Sequence, residues 1–150
     1  MNKEYKLKES IILKQKLEHI VNNLLTENIE YLNHKPEIIN NIDLIVNYVN
    51  IIMTDKILED KVIENNFLDL CYAIAEIPYV FIEVTSADEL SFVILSLVMN
   101  HLVKNENHYK EYERFEICYN INYTLNILKI LMVDAFGVEY EYIKPINRIQ

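Results

Sequence analysis

Apolar residues recur at intervals of three and four through most of the chain, the period of a helix face. Between Glu4 and Asn33, Leu13, Leu17, Ile20, Leu24 and Tyr31 fall on one side, which predicts a long amphipathic helix with a natural kink at Thr26-Glu27. Pro36 suits the start of a second helix, where its missing N–H costs nothing. That helix reaches about Met53, and its stripe of Ile38, Ile42, Ile45, Val49 and Ile52 suits near-parallel packing on a neighbour. Thr54-Asp55 and Asn65-Asn66 carry short polar side chains of the kind that cap a first turn. They predict two shorter helices, about 56–64 and 67–77, the second closed by Pro78.

Ser86-Ala-Asp-Glu89 then forms a capping box ahead of a helix over 87–104. Leu90, Ile94, Leu97 and His101 lie on one side of it, with Phe92, Leu95, Met99 and Val103 on the other. A helix apolar all round belongs at the centre of a fold. Its most apolar run, Phe92 to Val103, is shorter than the ~20 residues of a membrane span. A turn at Asn105-Glu-Asn107 leads into a last helix, about 108–136, which Gly137 stops as a left-handed C′ residue.

Two stretches depart from the helical period. Residues 79–84 are β-branched and aromatic, and residues 138–142 alternate strictly before Pro145. The pattern therefore predicts an all-α, single-domain bundle of five or six helices over residues 1–150, with 79–84 and 138–143 open to pairing as a small two-stranded ribbon.

Composition narrows the function more than the fold. One glycine in 150 residues leaves no way to write a G-x-G-x-x-G or G-x-x-x-x-G-K-[ST] phosphate loop, or a G-x-S-x-G nucleophile elbow. The 23 Ile, 18 Asn and 12 Lys read as the bias of AT-rich coding. Met1 to Lys8 alternates charge where a signal peptide carries an apolar core, so a cytoplasmic location is expected. Cys71 and Cys118 sit at apolar helical positions, as buried thiols in a reducing compartment do.

The net charge of −9 is unevenly spread. Residues 1–16 hold five Lys against two Glu, whereas residues 17–100 hold three Lys against fourteen acids. Such a body repels nucleic acid, whose sequence-independent affinity comes from Lys and Arg, and favours a partner with a basic surface.

No catalytic or metal-binding pattern emerges, and no cofactor is implied. None of His19, His34, His101 and His108 has a Glu three positions before it, and His101 and His108 are too far apart to share an ion. His108 and Glu111 share a helix face and read as a solvated ion pair or a helix-start interaction. Glu111, Glu113 and Glu116 point in different directions on a helix.

One constellation stands out. Tyr112, Phe115, Tyr119, Tyr123 and Ile130 fall on one face of the last helix, opposite Ile117, Ile121, Leu125, Leu128 and Met132. Either the helix is sandwiched within its own domain, or the aromatic face meets another chain. With helix 87–104 already claiming the centre, the second arrangement assigns Tyr112, Phe115, Tyr119 and Tyr123 as partner-binding residues. The expectation is a small, acidic, non-enzymatic protein acting by protein–protein contact: an inhibitor, antitoxin-like or immunity-type factor of phage or mobile-element character, with a homodimer as another use of the face. The alternatives are an enzyme or small-ligand protein with a metal-free pocket between helices, and a nucleic-acid mimic using the acids of residues 17–100.

Overall fold

The computed structural model describes residues 2–79 and 87–136. Among them the chain forms an all-α bundle of five helices: α1 (Asn2–Glu27), α2 (Lys35–Ile52), α3 (Asp60–Tyr79), α4 (Ala87–Glu111) and α5 (Phe115–Phe136). Tyr79 closes α3, and the rest of the two segments considered for a ribbon, 80–84 and 138–143, lies outside the described residues. Gly137 lies outside them too.

The first helix stops six residues earlier than its period suggests. The Asn28 side-chain amide donates to the Leu24 carbonyl at 2.9 Å, beside a backbone bond from the Asn28 N–H to the same oxygen. Asn28 itself leaves the helical backbone, at φ −131° and ψ 66°, and its side chain satisfies a carbonyl of the last turn. A 3₁₀ turn over Ile29–His34 follows and buries Tyr31 separately. On α1 the buried row is Leu13, Leu17, Val21 and Leu25, so the face is rotated slightly from the one expected, leaving Ile20 and Leu24 at its edge. The α2 stripe of Ile38, Ile42, Ile45, Val49 and Ile52 is buried as its rhythm implies.

Residues 56–77 do not form two helices. The segment 53–59 is a loop, and α3 runs unbroken through Asn65-Asn66 to Tyr79. A cap contributes about 1 kcal/mol. Burying the continuous row of Ile63, Leu70, Ile74 and Ile77 contributes about 1.5–3 kcal/mol for each side chain, and that outweighs a break at Asn66. Pro78 lies in the last turn rather than beyond it, and has no N–H to offer the Ile74 carbonyl. The Ser91 hydroxyl of α4 donates to that oxygen instead, at 3.4 Å.

The turn expected at Asn105-Glu-Asn107 is helix, and α4 continues to Glu111. Asn105 is fully buried, its amide donating to the His101 carbonyl at 2.8 Å. The reversal falls instead at Tyr112-Glu113-Arg114. There the Arg114 N–H bonds the Tyr109 carbonyl at 2.8 Å and the Glu113 N–H bonds that of Lys110 at 3.1 Å. This is the Schellman pattern with Glu113 at C′, φ 57°, where glycine is usual.

Nor is α4 buried all round, since Phe92 and Val93 face solvent. It packs on α5, α3 and α1, while α2 packs on α1, α3 and α5. One continuous apolar core takes side chains from all five helices.

Candidate protein-binding surface

Antiparallel packing of α5 on α4 turns Ile117, Ile121, Leu125, Leu128 and Met132 inward, and all five are buried. Positions two residues away from that row must then point outward. Phe115, Tyr119 and Tyr123, four residues apart, form one line along the outer face. Phe115 is 61% exposed, Tyr119 45% and Tyr112 52%, and Tyr123 is half-buried. Among the described residues, α5 is packed on its inner face and leaves Phe115 and Tyr119 exposed on the outer one. Ile130 and Val133 continue the exposed apolar line toward the end of α5.

The four rings do not form one plate. Tyr119 and Tyr123 lie side by side, centroids 6.4 Å apart. Tyr112 stands in the turn and leans on His108 at 4.8 Å. His108 stacks flat on Tyr5 of α1 at 3.6 Å, with Tyr109 edge-on to both. The expected His108–Glu111 ion pair is thus replaced by a ring cluster that ties α1 to α4.

Charge surrounds the row. The Tyr123 hydroxyl is held above its usual pKa by desolvation and by the nearby carboxylates of Asp60 and Glu64 on α3. Glu116, Glu113 and Glu111 are exposed on the same helix hairpin. Arg114, half-buried, approaches exposed Asp55 at 3.9 Å.

The other chemically notable groups are enclosed. Glu9, 4% exposed, accepts from Lys104 Nζ at 3.0 Å and from Asn105 Nδ2 at 3.4 Å. His101, buried close by, has its pKa pushed down to about 4, chiefly by desolvation, against the pull of Glu9. This cluster joins α1 to α4, with Glu9, His101 and Asn105 buried and Lys104 reaching solvent. Burial pushes the Cys71 thiol up to about 12 and raises that of Cys118, whose S–H points to the Glu106 carbonyl at 3.5 Å. Neither is poised as a nucleophile. Among the described residues no three His, Cys, Asp or Glu side chains converge as a metal site would need. No described helix is long and apolar enough to cross a membrane.

Two structural side chains escaped the sequence reading. Asn120, fully buried in α5, donates to the Lys56 carbonyl at 2.8 Å and accepts from the Leu58 N–H at 3.0 Å, pinning the loop before α3. Glu9 occupies a place on the same buried row of α1 as Leu13 and Leu17. A polar residue inside an apolar stripe is the available signal in both cases, because such a group is retained only with its hydrogen bonds satisfied. The chain matches no protein-family model, no curated protein and no solved structure.

Proposed function

We propose that this chain is a non-enzymatic interaction protein that docks through Tyr112, Phe115, Tyr119 and Tyr123 onto the basic surface of another protein. The observation that carries the reading is the exposed aromatic row of α5 flanked by Asp60, Glu64 and Glu116. Aromatic rings supply interface anchors, and tyrosine in particular keeps one end apolar and the other wet. Carboxylates beside them complement Lys and Arg, whose cations also favour aromatic faces.

Two copies meeting through this face would set carboxylate against carboxylate, so a basic partner of different sequence fits better than a homodimer. The free thiols Cys71 and Cys118 suit a reducing compartment such as the cytoplasm. An inhibitor, antitoxin-like or immunity-type factor is the role such a surface serves, binding its target without altering it.

Replacing Tyr112, Tyr119 and Tyr123 together with Ser tests the reading. The variant is expected to keep the helical circular dichroism and cooperative melt of the parent while losing a partner that the parent captures, and that capture should weaken as salt rises. Retention of the partner by the folded variant would refute it. Sedimentation of the parent as a stable dimer, dissociated by the same substitutions, would assign the face to self-association instead.

A further inference from the structure

The exposed row of α5 does not end with its aromatic rings. Ile130 and Val133 carry it to the last turn of the helix, which closes at Phe136. Residues 137–150 follow, outside the described residues. In them Val138, Tyr140 and Tyr142 alternate with Glu139 and Glu141, and Lys144 and Arg148 come after. Drawn out, such a stretch turns its three apolar side chains to one side and its two acids to the other. It has one face to bury, and it starts where an exposed apolar row ends.

Length and charge both point back along α5. Tyr119 lies about 25 Å from Phe136 at the rise of a helix, and Lys144 reaches about as far from Phe136 in an extended chain. Arg148 has reach enough for Glu116, about 30 Å back. The acids at that end, Glu116 on α5 with Asp60 and Glu64 beside Tyr123, are held in no ion pair among the described residues. Toward the other end, exposed Lys129 lies about 10 Å from Phe136, the reach of Glu139. Exposed Asp134 is five positions on and so at the opposite edge of the face. Doubled back, the tail sets acid beside Lys129 and base beside Glu116; continued outward, it meets neither.

We propose that residues 138–148 double back along the outer face of α5 and cover its aromatic row. Val138, Tyr140 and Tyr142 lie on Val133, Ile130 and Tyr123, Lys144 reaches the ring of Tyr119, and Arg148 meets Glu116. A partner docks there by displacing this strap, and in that respect the inference rests on the reading of the row as a contact surface.

The test uses the purified full chain with p-benzoyl-phenylalanine in place of Tyr119. A dilute mixture of unlabelled and isotope-labelled protein is irradiated, and cross-linked peptides are identified by mass spectrometry. Cross-links from position 119 to residues 142–148 of the same molecule are expected. Lys144→Glu with Arg148→Glu should cut their yield about fivefold, the scale of two exposed ion pairs, and adding Glu116→Lys should restore it. No cross-link to residues 138–148, or a yield unmoved by the charge reversal, would overturn the strap. Cross-links joining labelled to unlabelled chains would overturn it in favour of a second copy. In the native host the same reversal should raise the yield of a partner adduct from position 119, and a fall would contradict displacement. The first assay holds no partner, so the strap and the partner-binding reading can fail separately.

Discussion

Asn120→Ala should remove a clamp that holds one end of the bundle in register. The Asn120 amide spans two backbone groups of the same loop, the Lys56 carbonyl at 2.8 Å and the Leu58 N–H at 3.0 Å, from a fully buried position on α5. Each hydrogen bond contributes about 1 kcal/mol net, and stranding a buried partner adds about 1–3 kcal/mol. Lys56 is exposed and its carbonyl can turn to water, while Leu58 is half-buried and its N–H is harder to satisfy. The expected loss is therefore about 2–3 kcal/mol, a large part of the ~5–15 kcal/mol that folds a domain. For a chain of this size that lowers Tm by about 5–10 °C. Urea unfolding reads the loss directly, and hydrogen exchange locates it: the Leu58 amide should lose its protection while amides in the middle of α2 keep theirs. A loss below about 0.5 kcal/mol, the scale of a neutral surface change, with Leu58 still protected would refute the clamp.

Three further outcomes follow from other local features. Glu113→Gly should raise stability by about 0.5–1 kcal/mol in denaturant melts, since Glu113 holds φ 57° at a position glycine adopts without steric cost; destabilisation would show that its side chain matters more than its backbone. His101, with its folded pKa about 4 against 6.5 for a free histidine, binds its proton more readily in the unfolded chain. Stability should thus fall as pH drops from 6.5 toward 4, by up to about 3 kcal/mol, and less steeply in His101→Gln; parallel profiles would contradict this. Thiol reagents at mildly alkaline pH should label Cys71 and Cys118 slowly in the folded protein and quickly in urea, because burial disfavours both thiolates. Rapid labelling of the folded chain would contradict it.

Where burial and local preference agree, the sequence was enough. The α2 stripe and the inward row of α5 are legible from spacing alone, because each apolar residue they bury reinforces the same helix face. Misreadings fall where a polar residue plays a part other than punctuation. Asn66 and Asn105 look like helix boundaries, yet both are buried inside helices whose apolar rows continue past them. The true reversal hides at Glu113, since no glycine marks its left-handed backbone. The outward placement of Phe115, Tyr119 and Tyr123 was not decidable from spacing, because an aromatic face reads the same whether it packs inside or outside. It turned on the number of helices surrounding α5, and that is set by tertiary packing.

The central claim is that the outer face of α5 is the part of this protein that meets its partner. Photo-crosslinking in the native host tests it most directly, with p-benzoyl-phenylalanine in place of Tyr119 in one strain and of exposed Asn47 on α2 in another. A single discrete adduct from position 119, abolished when Tyr112 and Tyr123 are also changed to Ser and absent from position 47, is the expected result. No adduct from position 119, or the same adduct from both positions, would contradict the claim.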